Sequence, residues 1–251
     1  MYPLVLLHGF PFDSSMWDEV VDLLGEEGIP TIALDAPGFG FSEVPEGEPC
    51  LEDAADAVVA TLDDLGIDRA VLAGLSMGGY IALATAQRHS SRLAGLALLD
   101  TKASADPEAA RENRLRIAAE APGAGSAVVA DMVEKLLGET TRELDPDLVA
   151  RHREMLAAAP VPGIVWAQRA MAARPDRMHV LEDLTVPGLV VRGTEDALAT
   201  QEDAEAMVHA MQAHDGDAEL VLIPAAGHMT ATEDPEGTAE ALAAFWRRCV
   251  G

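Results

Sequence analysis

Lysine is nearly absent from this chain, cysteine is scarce, and no apolar segment is long. Lys102 and Lys135 are its only lysines, so arginine carries almost all the positive charge. The balance is 17 basic against 43 acidic residues, a formal net charge of −26. Such a surface repels phosphate backbones and anionic lipid, which excludes nucleic acid and membrane surfaces as partners. Cys50 and Cys249 stand far apart without metal-ligand spacing, so neither a disulfide framework nor a zinc site is read, and no metal is expected. Apolar residues come in short blocks such as Leu4–Leu7 and Leu93–Leu99, well below the roughly 18–20 residues that span hydrocarbon. Tyr2-Pro3-Leu4-Val5 leads straight into a motif at His8 with no basic segment before an apolar core. A secretory signal is therefore not expected, and a cytoplasmic location is.

What is present is an alternation of strand-like runs with helix-period segments. Strands are expected at Pro3–His8, Pro30–Asp35, Arg69–Ala73 and Leu93–Leu99, the pattern of crossover units building a parallel sheet. Trp17, Val20, Val21, Leu23 and Leu24 recur at helical spacing, as do Ala54, Ala57, Val58, Thr61, Leu62 and Leu65. After Lys102 the character changes: up to Leu184 no convincing strand occurs, and prolines and glycines break an alanine-rich helical pattern, with a helix-to-helix corner at 159–163. Strands resume at Gly188–Arg192 and Glu219–Ile223, with a helix near Gln201–Ala213 between them and a terminal helix from about Pro235. The expected architecture is α/β: a mostly parallel sheet of about six strands flanked by helices, with a core of 1–102 and 185–251 and an all-helical insertion of 103–184.

Gly74-Leu75-Ser76-Met77-Gly78 lies between a strand and an alanine-rich helix. A sharp strand-to-helix turn exposes a serine hydroxyl beside the positive end of a helix, and flanking glycines relieve its crowding. A serine nucleophile needs a base, and the seven histidines offer one in the right place. His228 follows the last strand, so it shares the sheet's carboxyl edge with Ser76. His89, His152, His179, His209 and His214 fall in or next to helices and are read as solvated or capping. Asp196, in the loop after Gly188–Arg192, is the acid that would orient the imidazole; Glu195 beside it and Asp100 after Leu99 are competitors. Two backbone donors must meet the developing oxyanion. Met77, directly after the nucleophile, and Phe10, in the loop His8-Gly9-Phe10-Pro11, are expected to supply them. His8 itself reads as structural.

With those residues in place the sequence resembles the α/β-hydrolase superfamily from Leu4 to the last helix. The resemblance rests on His8-Gly9-Phe10-Pro11, Asp35-Ala36-Pro37-Gly38-Phe39-Gly40, the nucleophile turn, Gly193-Thr194-Glu195-Asp196 and Gly227-His228, in the order Ser, Asp, His that this superfamily uses. It is most similar to small carboxylesterases, 3-oxoadipate enol-lactonase-like enzymes and cofactor-free haloperoxidase-like enzymes. The resemblance implies a serine hydrolase of esters with small or medium acyl groups, without a cofactor. Lactonase activity, perhydrolase or haloperoxidase activity on the same triad, and a ligand receptor on a retained hydrolase fold are the alternatives. A serine where dehalogenases of this fold use aspartate argues against carbon–halogen cleavage. The helical insertion would cap the site, with Trp166 and Met229, beside Phe10 and Met77, facing a small-molecule ester or lactone. Arg169 and Arg174 are read either as surface residues or as ligands for a substrate carboxylate. The hairpin that commonly opens the fold is expected to be missing, which leaves Pro30–Asp35 as an edge and makes monomer and homodimer both compatible with the chain.

Overall fold

Leu4-Val5-Leu6-Leu7 and Leu93-Ala94-Gly95-Leu96-Ala97-Leu98-Leu99 are apolar at every position, and both are buried along their whole length. Continuous apolar strands of this kind belong inside a parallel sheet covered on both faces. In the computed structural model, which describes residues 2–251, six strands form one such sheet. They are β1 (Leu4–Leu7), β2 (Thr31–Leu34), β3 (Ala70–Leu75), β4 (Leu93–Leu99), β5 (Gly188–Gly193) and β6 (Ala218–Ile223). Their order is β2-β1-β3-β4-β5-β6, and each neighbouring pair is parallel. The outermost strands β2 and β6 carry partly exposed residues where the inner four are buried throughout, so the strand at Thr31–Leu34 is an edge, as expected.

The chain moves from β1 outward to β2 and then back across β1 to β3. With right-handed crossovers this reversal puts α1 (Asp18–Glu26) on one face and α2 (Leu51–Asp64) and α3 (Met77–Arg88) on the other. The contacts agree: α1 packs on the terminal helix, and α2 packs on α3. α3 is buried from Met77 to Ala86 because it lies between the sheet and α2. The reversal also separates the loops leaving β1 and β3, opening a crevice at the carboxyl edge of the sheet. Phe10 and Ser76 lie in those two loops.

Between β4 and β5 the regular structure is all helical: α4 (Glu108–Ala124), a 3-10 stretch at Gly125–Met132, α5 (Val133–Leu136), α6 (Glu139–Leu144), α7 (Pro146–Ala158), α8 (Val161–Ala173) and α9 (Met178–Glu182). α7 and α8 meet at the proline corner, and α4 packs along α8. The chain then continues through α10 (Gln201–Met211), α11 (Thr230–Glu233) and α12 (Pro235–Val250). Thr200 and Asp203 close a reciprocal capping box on α10. Asp234 caps α12 with Pro235 in the first turn. Among the described residues no helix is long and apolar enough to cross a membrane.

Candidate active site

Ser76 sits at the turn from β3 into α3 with φ 52° and ψ −111°, a left-handed conformation that L-residues adopt only under constraint. The constraint is visible. The Ser76 N–H donates to the Leu99 carbonyl at 2.9 Å, and the Thr101 hydroxyl donates to the Ser76 carbonyl at 2.8 Å. A Cβ at Gly74 would overlap the Gly78 carbonyl, and one at Gly78 would overlap the Leu7 carbonyl, so the two glycines of the motif are sterically required.

His228, in the loop between β6 and α11, reaches back over this turn. Its Nε2 lies 2.8 Å from Ser76 Oγ and its Nδ1 lies 2.9 Å from Asp196 Oδ2. The tautomer with its proton on Nδ1 satisfies both contacts, donating to the carboxylate and accepting from the hydroxyl. Asp196 is held in turn: its Oδ1 accepts from the Leu198 and Ala199 N–H groups at 2.7 and 3.1 Å, while Arg192 donates to its carbonyl at 2.9 Å. The structure thus brings Ser76, His228 and Asp196 into one hydrogen-bonded row.

Burial sets the electrostatics of this row, since His228 is 4% and Asp196 5% exposed. For His228, burial pulls the pKa down, but the charge and hydrogen bond of Asp196, with the charges of Asp100 and Glu233 behind them, outweigh it and raise the pKa above 6.5. For Asp196, burial pushes up, and the charge and hydrogen bond of His228 with the two N–H donors bring the carboxyl below its usual range.

The two competing acids have other partners. Glu195 turns towards the helical insertion and accepts from the Thr140 N–H at 2.8 Å and the Thr140 hydroxyl at 2.5 Å. Asp100 lies fully buried behind the row, accepting from the Gly193 N–H at 2.9 Å and the Thr230 hydroxyl at 2.5 Å. Burial first, and the nearby Asp196 second, push its carboxyl up to about 7.

Phe10 lines the cavity above Ser76, and among the described residues its N–H donates to no protein acceptor. Met77 is the first residue of α3, where an N–H has no acceptor within the helix. His8 is buried with its Nε2 accepting from the Ala36 N–H at 2.8 Å and its Nδ1 3.0 Å from the Gly9 carbonyl. Because Nε2 accepts from an N–H it carries no proton, and burial also holds the pKa down, so His8 is a neutral strut under the loop. His152 is not solvated: it is buried in α7 between the Leu148 carbonyl and the Thr232 hydroxyl.

The cavity over Ser76 holds about 270 Å³. Ser76, His228 and Phe10 form its floor; Lys102, Arg114, Lys135 and Gln168 are on its wall. Trp166 and Met229, expected to face substrate, are not on that wall. α8 turns Gln168 and Met171, three residues apart, to the cavity, which leaves Trp166 pointing away into the packing, 2% exposed. Met229 is likewise buried in the core. Arg169 is exposed. Arg174 is neither a surface residue nor free for a ligand: it pairs with Asp106 at 2.8 Å and lies 4.1 Å over the Tyr80 ring.

Sequence reasoning also missed Glu233. Its Oε2 accepts from the Gly138 N–H at 2.8 Å and the Thr141 hydroxyl at 2.6 Å; its Oε1 accepts from the Gly227 and Met229 N–H groups at 2.9 and 3.0 Å. With the His228 N–H donating to the Leu136 carbonyl at 2.8 Å, the insertion is stitched to the histidine loop on both sides of His228. No local pattern marks such a role, because the partners lie more than 90 residues apart. Among the described residues no group of three or more His, Cys, Asp or Glu side chains is placed to hold a metal ion.

Residues 4–241 match the model of the alpha/beta hydrolase family. Among solved structures, a thermophilic esterase from Thermogutta terrifontis, determined with malate bound, superposes with a TM-score of 0.94 at 37% identity, covering 100% of this chain and 91% of that one. The enol-lactonase from Burkholderia xenovorans LB400 superposes with a TM-score of 0.86 at 28% identity, covering 98% and 92%. The dihydrolipoyllysine-residue acetyltransferase component of the acetoin cleaving system of Pseudomonas putida is 34% identical over 98% of this chain and 64% of its own length. In two other relatives the match takes in 36% and 35% of the relative's length.

Proposed function

The chain belongs to the alpha/beta hydrolase family, and on that premise we propose that it is a serine hydrolase of carboxylic esters and lactones, working through an acyl-enzyme on Ser76. One observation carries this reading: the row in which Ser76 Oγ, facing the cavity, and the buried His228 and Asp196 stand 2.8 and 2.9 Å apart. Neighbours that bear the names esterase and enol-lactonase support it.

In this reading His228 Nε2 takes the Ser76 proton as Oγ attacks the ester carbonyl. Asp196 stabilises the imidazolium that results and fixes its tautomer. The oxyanion develops where the Phe10 and Met77 N–H groups, unclaimed by other protein acceptors, can donate; one such donor is worth about 3 kcal/mol in the transition state. Imidazolium then protonates the leaving alkoxide. Water, deprotonated by the same Nε2, attacks the acyl carbon and frees Ser76. A lactone follows the same path, its leaving alkoxide staying tethered to the acyl group. The helical insertion of 103–184 acts as the cap: α4, α5 and α8 supply cavity wall, so the acyl-enzyme forms in a site partly withdrawn from water.

The test is steady-state hydrolysis of p-nitrophenyl esters from acetate to decanoate by the wild type and a folded Ser76→Ala variant. Turnover that disappears in the variant, with an optimum at short or medium chains, is expected. Turnover that survives in Ser76→Ala would overturn the mechanism.

A further inference from the structure

The chain has two lysines among 251 residues, and both stand on the wall of the cavity over Ser76. They come from separate elements: Lys102 from the loop that leaves β4, Lys135 from α5. Arg114 on α4 is a third cation on the same wall. This is a local reversal of charge in a protein of net −26.

The two lysines also differ from most of the arginines. Those on the surface are mostly spent on carboxylates, as in Arg88–Asp56 at 2.7 Å, Arg116–Glu120 at 2.7 Å and Arg151–Glu19 at 2.8 Å. Lys102 is half-buried and Lys135 exposed; among the described residues, neither has a carboxylate within 4.0 Å and neither ammonium group donates a protein hydrogen bond, so both charges are open to the cavity they line.

The acidic groups on the cavity wall do not cancel this charge. Asp106 is already shared by Arg114 at 2.5 Å and Arg174 at 2.8 Å, so that cluster of two arginines and one carboxylate stays cationic. Asp100, pushed up to about 7, carries only part of a charge near neutrality.

A further polar group on the wall lacks a partner. Gln168 is 2% exposed, and its Oε1 is buried without a hydrogen-bond partner. Its amide donates no hydrogen bond to any described residue either. The orphaned Oε1 is an acceptor that an anion would not satisfy, but the two N–H donors of the same amide are unclaimed and would suit an anionic oxygen.

We propose that the cavity selects substrates bearing a carboxylate, so that the scissile ester or lactone carbonyl lies over Ser76 while a second, anionic end is held between Lys102, Lys135 and Gln168. The cavity of about 270 Å³ limits such a substrate to a short dicarboxylic monoester or a carboxylated lactone. The proposal rests on the serine-hydrolase reading only for which end reacts; the binding preference stands apart from turnover.

Its test therefore begins with binding. Monomethyl adipate and dimethyl adipate, differing by one charge, are titrated by calorimetry into the full-length Ser76→Ala protein at low salt. The monoanion is expected to bind at least tenfold more tightly, with the preference shrinking as sodium chloride screens the lysines. Adding Lys102→Met and Lys135→Met together should abolish the preference, and the matching Lys→Arg pair should retain it. With active enzyme, the same substitutions should raise KM for the monoanion much more than they change its kcat. Equal or weaker binding of the monoanion, or a preference that survives both methionine substitutions, would overturn the proposal. Loss of ester turnover in every form, with the binding preference intact, would instead count against the serine mechanism alone.

Discussion

Glu233 gives the most demanding quantitative prediction, because it touches neither the cavity nor the reacting atoms. Glu233→Ala removes the acceptor for three backbone N–H groups, those of Gly138, Gly227 and Met229, and for the Thr141 hydroxyl. The carboxylate is half-buried, so water will replace part of what is lost. At about 1 kcal/mol for each orphaned N–H, the loss comes to about 3 kcal/mol. For a chain of this size that corresponds to a fall in Tm of about 6–12 °C. The catalytic effect should be larger than the stability effect implies. Gly227 and Met229 flank His228, and a shift of the imidazole by about 1 Å can cost about 10²-fold in rate. Glu233→Gln should not rescue fully: Oε1 and Oε2 each accept two hydrogen bonds, and a neutral amide can serve only one side. Differential scanning calorimetry beside kcat/KM on a p-nitrophenyl ester measures both effects. Glu19→Ala, which breaks an ion pair whose side chains are 47% and 55% exposed, is the control and should cost about 0–1 kcal/mol. A Glu233→Ala protein with Tm within about 2 °C of wild type and unchanged kcat/KM would refute the clamp.

Further outcomes are expected at the turn and in the buried charges. Gly78→Ala puts a Cβ into the Leu7 carbonyl, and should cost at least about 1–3 kcal/mol with loss of esterase activity; a stable, active variant would contradict the geometry of the turn. In the proposed mechanism His228 takes the serine proton and so must be neutral; with its pKa raised above 6.5, that mechanism predicts that kcat/KM falls on the acid side with an apparent pKa above 6.5. Asp100→Asn removes one of the charges that raises it, so this limb should move to lower pH; no movement would disconnect Asp100 from the row. Asp100 is also raised from 3.8 to about 7 on folding, so the folded chain binds the extra proton and its stability declines as pH rises towards 7. Unfolding midpoints of wild type and Asp100→Asn should accordingly shift in favour of the variant between pH 5 and pH 7, and parallel curves would refute that.

Much of this was legible in the sequence, for a physical reason. The inner strands are buried on both faces and so are written as continuous apolar runs, and the chemistry hangs on the loops at their carboxyl ends. Ser76, Asp196 and His228 follow β3, β5 and β6, so identifying the strands nearly identifies the row. The rotation of the helices in the insertion was not legible. α8 is apolar around most of its circumference, and only its packing on α4 decides that Gln168 and Met171 face the cavity while Trp166 does not. Long-range ionic partners were hidden for the same reason. Arg174 looks like a surface residue until Asp106 and Tyr80 are brought to it, and Glu233 looks like an ordinary helix carboxylate until Gly138 arrives. Lys102 and Lys135 did carry a signal, their scarcity, but only the fold puts them on one wall.

The central claim is that Ser76 is the nucleophile, and covalent labelling tests it most directly. The folded protein is incubated with a fluorophosphonate, and the modified peptide is located by mass spectrometry. One phosphonyl group per chain on Ser76, with labelling lost in His228→Ala, is the predicted result. An unlabelled Ser76 in a folded protein that still hydrolyses esters would contradict it.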